Sequence, residues 1–153
     1  EYNQQYMDKN PNAAPTDFMK LAEIYVNKAK KDPAKKIENI DKAIGVYAKL
    51  SEKYPTLKTF AKLQEGNTAF QNELDDKAIA AYTEVINELE AKQCDEDELS
   101  YLKTSYQYMG FIYTYDKQDF NTAKPYWDKL LKLDPQNKLA NDAYEKAGLK
   151  PGE

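Results

Sequence analysis

One pattern recurs along the chain and restricts its fold more than any other feature. Asp41-Lys-Ala-Ile-Gly-Val-Tyr47, Asp76-Lys-Ala-Ile-Ala-Ala-Tyr82 and Asn121-Thr-Ala-Lys-Pro-Tyr-Trp127 align on a small alanine, with an aromatic ring four residues later. Three residues further on each carries an aliphatic side chain: Leu50, Val85 and Leu130. Steps of four and three put these groups on one face of a helix. The first and third segments reach a proline five residues later, at Tyr54-Pro55 and Asp134-Pro135. The second has Glu90 at that place and is expected to continue as helix to about Gln93.

Another amphipathic stretch precedes each of these helices. The first carries Phe18, Leu21, Ala22, Tyr25 and Ala29, the second Phe60, Leu63, Gly66 or Asn67, and Phe70, and the third Tyr106, Met109, Gly110 and Tyr113. Pairs of such helices joined by short polar turns predict an all-α solenoid. A single hairpin is too thin to bury its own apolar stripe and must stack on its neighbours. Five glycines and seven prolines in 153 residues leave little punctuation, which favours helix.

The boundaries carry their own signals. Asp32 before Pro33 reads as an N-cap with proline at the first helical position. Asp75 is placed to cap the helix through Ile79 and Tyr82, and Asp95 with Glu98 has capping-box spacing. Pro125 falls in or near the first turn of its helix, where a missing N–H costs little. A last amphipathic segment, Lys138 to Ala147, stops at Gly148 with Pro151 beyond it.

Several chemistries are excluded by what is missing. There is no histidine, the usual general base and commonest metal ligand, and all 22 basic residues are lysine. Without arginine the planar fork that reads phosphate or guanine edges is absent. With a net charge of -4 this argues against nucleic acid as a partner. No Gly-rich phosphate loop, Ser-His-Asp set or metal-ligand spacing occurs, so no catalytic residues, cofactor or metal are expected, and the chain reads as a non-enzyme. The acidic run Asp95-Glu96-Asp97-Glu98 lacks the spaced oxygens and glycine of a calcium loop and reads as helix capping. The neighbouring Cys94 cannot form an internal disulfide, and nearby acids disfavour its thiolate. No stretch of about 18 apolar residues is present, so no membrane insertion is expected. The chain opens at Glu1 rather than Met, as a processed or excised part of a longer chain would.

The arrangement resembles the tetratricopeptide repeat: an aromatic, Leu-Gly and Tyr on the first helix, then Ala, an aromatic and a small apolar residue on the second, then Pro. The third repeat carries the resemblance most fully, with Tyr106, Met109-Gly110, Tyr113, Ala123, Trp127, Leu130 and Pro135. Gly110 to Ala123 is 13 steps where the family has 12, which places an extra residue in the turn. Gly66 to Ala78 is 12 steps, but Lys62 and Glu65 occupy positions where the family has apolar residues. The first repeat has Phe18, Leu21-Ala22 and Tyr25, then a turn about nine residues longer than the family's. Ala43 to Ala78 is 35 residues and Ala78 to Ala123 is 45, so the second repeat is stretched. The resemblance implies a right-handed α-α superhelix of about three hairpins and a capping helix. It also implies that residues 1–13 form the tail of a preceding repeat, suggested by Tyr2, Tyr6 and Asn10-Pro11-Asn12-Ala13. The repeats span 14–55, 56–94 and 95–136, and the cap spans 137–153. The tyrosine-rich, arginine-free repeats are also similar to cell-envelope repeat proteins of Bacteroidetes-type bacteria. That implies a periplasmic or envelope location, with the cytoplasm as the alternative.

The family binds partners in a groove formed by the first helices of successive hairpins. Carried over, its positions fall on Met19, Glu23, Val26 and Asn27. In the second repeat they fall on Phe60, Leu63, Asn67, Phe70 and Gln71, and in the third on Thr104, Gln107, Phe111, Thr114 and Tyr115. Such a groove suits an extended peptide or a partner helix. Met19 and Glu23 stand where chaperone-binding members have Lys and Asn, which argues against a carboxylate clamp. Tyr101, Tyr106, Tyr108, Tyr113, Tyr115, Tyr126 and Trp127 crowd the third repeat. Tyr106, Tyr113 and Trp127 occupy packing positions of the family pattern, while Tyr108 and Tyr115 are open to a role in contact with a ligand. The expected function is a scaffold module that binds a protein or peptide. The alternatives are a saccharide or lipid site on the tyrosine-rich repeat, and docking within a larger parent chain.

Overall fold

A computed structural model describes residues 4–152, and it is all-helical, with no strand among the described residues. In chain order the helices are α1 (Gln4–Lys9), α2 (Pro15–Lys31), α3 (Lys36–Lys53), α4 (Lys58–Gln71), α5 (Asp75–Glu90), α6 (Glu96–Phe111), α7 (Phe120–Leu133) and α8 (Lys138–Lys146). Tyr2 lies outside the described residues, as does the side chain of Tyr6. The chain divides into two compact units, Glu1–Ala81 and Tyr82–Glu153. In the first, α2 packs on α3 and α3 on α4; in the second, α6 packs on α7, and both meet α8.

The recurring stripe is the inner face of these helices. Ala43, Ala78 and Ala123 are all fully buried. So are Tyr82 and Trp127, while Tyr47 is nearly so, and Leu50, Val85 and Leu130 are buried one turn beyond. A methyl side chain lets the partner helix come close, and the ring four residues on fills the space that the small residue leaves at the contact. In the first unit Phe18, Leu21 and Ala22 of α2 close on Ala43, Val46 and Leu50 of α3. Tyr54, at the end of α3, donates its hydroxyl hydrogen to the Ala13 carbonyl at 2.7 Å, tying down the turn before α2.

The caps divide into those the sequence places and those it does not. Asp95 accepts from the Glu98 N–H at 2.8 Å, and Glu98 accepts from the Asp95 N–H at 3.1 Å, a complete capping box. At the end of α8, Gly148 has φ +71° and its N–H reaches Glu145, while the Leu149 N–H reaches Tyr144, which is a Schellman closure. Asp32 behaves otherwise: Pro33 opens a 3₁₀ turn, Pro33–Lys35, but the Asp32 side chain accepts no capping bond. Asp75 is the first residue of α5 and not the one before it, and its charge complements the helix N-terminus. The helix ends at Glu90 rather than Gln93. Pro125 is the sixth residue of α7, one turn deeper than expected. Pro125 and Asn121 are both exposed, so the carbonyl that Pro125 leaves without a helical donor lies on the solvent side of α7.

The stretch between Gly110 and Ala123 is helical for most of its length. After α6 the chain continues through a π-helical segment, Ile112–Asp116, closed by the Lys117 N–H on the Ile112 carbonyl at 2.9 Å. A π turn absorbs one additional residue and rotates the downstream residues by roughly 100° relative to an unbroken α-helix. Trp127 meets the chain at two places around this segment. A Cβ at Gly110 would come within 2.5 Å of the indole, so only glycine lets α6 approach the ring. Thr114, on the π segment, accepts the indole N–H at 2.8 Å.

Two of the helical glycines, Gly45 and Gly110, make opposite predictions. Gly45 of α3 is exposed, and a Cβ there would meet nothing within 4 Å. Gly45→Ala is expected to raise stability by about 0.5–1 kcal/mol through helix propensity alone. Gly110→Ala is expected to lower it by about 1–3 kcal/mol, because a held, buried ring must shift. Urea titrations of both variants check this, and equal effects would contradict the packing described.

Candidate functional site

On the first unit, α2 buries Phe18, Leu21, Ala22 and Ala29 and turns the opposite face outward. Met19, Glu23 and Asn27, spaced by four, run along that face and are all exposed, Met19 by 40%. Thr16, Met19, Lys20, Glu23 and Tyr47 line an open depression of about 400 Å³. Tyr47 belongs to α3 and is largely buried, and burial pushes its phenol above the ordinary range. A hydrogen bond with Thr68 of α4 opposes that shift and the charge of Glu23 adds to it, so the ring spans from α2 to α4 beneath the depression. On α4, Asn67 is half-buried and Gln71 is exposed at the last position of the helix. Lys62 and Glu65 form an ion pair at 2.8 Å with Glu65 buried.

On the second unit the corresponding residues are engaged by the chain itself. Gln107 accepts from the Asn137 side-chain amide at 3.1 Å, at the start of α8. The rings of Phe111 and Tyr115 lie 4.8 Å apart, and the Lys146 ammonium of α8 sits 4.5 Å from the Tyr115 ring centre. Thr114 is buried, with its hydroxyl occupied by Trp127. It also borders a smaller depression of about 240 Å³, with Gln118, Phe120, Ala143, Lys146 and Ala147.

The tyrosines of this unit are paired with one another. Tyr82 stacks on Tyr108 at 5.7 Å, and Tyr113 lies parallel to Tyr126 at 6.1 Å. Tyr144 is fully buried and its hydroxyl donates to Asp128. Tyr106 is buried, and its hydroxyl donates to Glu90 at 2.6 Å. Burial first, and then this bond, raise the Tyr106 phenol well above its usual value.

Glu90 is a polar hub that the sequence marks only as a residue standing where the other repeats have proline. Its carboxylate takes hydrogen bonds from Tyr106 of α6 and from Lys129 of α7 at 2.6 Å each. It sits at the C-terminal end of α5, where the helix dipole disfavours an anion. Burial would raise its carboxyl further, but the two donors outweigh both effects and hold it below the ordinary glutamate range. The acid therefore joins three consecutive helices at a place where neither helix propensity nor apolar burial calls for a charge.

Among the described residues no group of three or more Cys, Asp or Glu side chains is placed to hold a metal ion. The Cys94 thiol is pushed up first by burial and then by the charge of Glu98. No helix is long and apolar enough to cross a membrane among the described residues. No family model, curated protein or solved structure matches the chain.

The Glu90 hub predicts a specific pH response. A carboxyl held below its unfolded value contributes stability above that value and loses it as pH falls through the folded one. The stability gap between the wild type and Glu90→Gln is expected to be widest at neutral pH and to shrink below about pH 4. Guanidinium unfolding across that range measures it, and a gap independent of pH would show that the ionised form contributes nothing.

Proposed function

We propose that the chain is a non-catalytic interaction module, one section of a tetratricopeptide-like scaffold, and that it takes a peptide segment or partner helix along the outward face of α2. The observation that carries this reading is the exposed stripe Met19, Glu23 and Asn27 beside a depression reaching Tyr47. It combines an apolar anchor with a carboxylate and an amide at helical spacing, which suits the alternating contacts of a docked helix or strand. The third hairpin is a poorer place for a partner. Gln107, Phe111, Thr114 and Tyr115 are occupied by α7, by α8 or by each other, Tyr113 packs on Tyr126, Tyr108 on Tyr82, and Tyr106 is bonded to Glu90. A saccharide or lipid would have to displace those contacts.

Covering the exposed 40% of Met19 would contribute roughly 1 kcal/mol, and an aspartate in its place would add a desolvation cost. Peptides selected from a display library on the full chain are therefore expected to lose about ten-fold or more in affinity to Met19→Asp. A smaller loss is expected with Glu23→Lys. Because both positions are exposed, the melting temperature is expected to stay within the range of neutral surface substitutions. Selected peptides that bind both variants as tightly as the wild type would overturn the placement.

A further inference from the structure

A second surface of the first unit has a different character. Residues 28–36, Lys28-Ala-Lys-Lys-Asp-Pro-Ala-Lys-Lys36, hold five lysines against one acid in a chain whose net charge is -4. They occupy the end of α2, the 3₁₀ turn Pro33–Lys35 and the first residue of α3. Lys28, Lys30, Lys31 and Lys35 are exposed, and Lys36 is half-buried. Pro33 and Ala34 at the tip are exposed as well. Ile37, the next residue, is 60% exposed, more than Met19, Leu99, Leu133 or Leu149.

Local needs account for only part of this charge. Lys28, Lys30 and Lys31 lie in the last turn of α2, where cations complement the helix C-terminus. Lys35 and Lys36 are the N-cap and first residue of α3, where a cation opposes the dipole. The acidic groups near the patch include Asp32 within it, Glu38, which is hydrogen-bonded to Lys42, and Glu73, which pairs with Lys36 at 3.2 Å. Lys28 lies 5.5 Å from the Tyr25 ring centre. The turn thus exposes Pro33, Ala34 and Ile37 close in sequence to the exposed Lys30, Lys31 and Lys35.

We infer that this turn is a docking surface for an anionic phospholipid bilayer, with the lysines at the headgroups and Ile37 entering the interface. Two features favour a bilayer over an acidic protein. All the cations are lysines, compact point charges that attract a diffuse anionic surface without the directional fork that arginine offers a carboxylate. The most exposed of those large apolar side chains stands among them, and a bilayer interface accepts such a group below the headgroups. This is surface attachment and requires no membrane-crossing helix. It adjoins the end of the α2 stripe, since Lys31 follows Asn27 by four residues, but it is read out on vesicles and not on peptides, so either reading can fail without the other.

The test is co-sedimentation of the full chain with vesicles of phosphatidylcholine alone or mixed with phosphatidylserine, at low and high salt. Binding is expected only to the mixed vesicles, weakening as salt rises. Lys30→Glu, Lys31→Glu and Lys35→Glu together are expected to reduce binding at least ~100-fold, at about 1 kcal/mol per lysine neutralised and more for reversal. Ile37→Gln, at an exposed position, is expected to reduce it about 5–10-fold with the melting curve unchanged. Absence of binding to the mixed vesicles would overturn the proposal. So would binding indifferent to Ile37, or retention on polyglutamate but not on vesicles, which would assign the turn to an acidic partner.

Discussion

Burial of a small alanine on the inner face of a helix is the constraint on which the rest of the structure depends. Ala43, Ala78 and Ala123 are each inaccessible to solvent, and each has a large ring one turn further along the helix and an aliphatic group after that. Neither feature suffices alone. A small residue without the ring leaves a void, and a ring without the small residue holds the helices apart. Gly110 takes this to its limit, because the Trp127 ring occupies the space where a Cβ would be. The indole N–H, which would otherwise be buried without a partner, is accepted by Thr114.

Most of the fold is legible in the sequence because it is written in spacings. Four-and-three steps of apolar residues locate the helices, and Asp95 with Glu98 and Gly148 mark helix ends where the structure has them. Features that depend on register within a helix are not legible in this way. An additional residue between Gly110 and Ala123 can lengthen a turn or wind into a π segment, and composition does not distinguish the two. The Asp75 expectation differs for a related reason: Leu74 precedes the helix and Asp75 begins it, a difference of one residue in where the helix starts. A preference for Gly or Asn at left-handed positions would not have found Glu73, which ends α4 at φ 63°.

The candidate binding positions were less legible, because a stripe of exposed polar and apolar groups looks alike whether or not another helix covers it. Met19, Glu23 and Asn27 are exposed in the first unit. Gln107 and Tyr115 meet side chains from α8 or its cap. A capping helix laid beside α6 uses the same amides and rings that a partner would use, and nothing in the spacing of residues 104–115 indicates it. Glu90 shows the reverse case. Its isolated carboxylate gives no sequence signal, yet it connects α5, α6 and α7 through two short hydrogen bonds.

The packing account is tested most directly by placing the same bulky residue at the three buried alanines and at an exposed alanine of one of the same helices. Ala43→Leu, Ala78→Leu and Ala123→Leu are each predicted to cost at least about 1–3 kcal/mol in chemical denaturation. Ala80→Leu, on the outer face of α5, should stay within roughly 0.5 kcal/mol of the wild type. If the three buried positions accepted leucine as readily as Ala80, the helices would not be in contact there, and the shared burial pattern could not be what organises the chain.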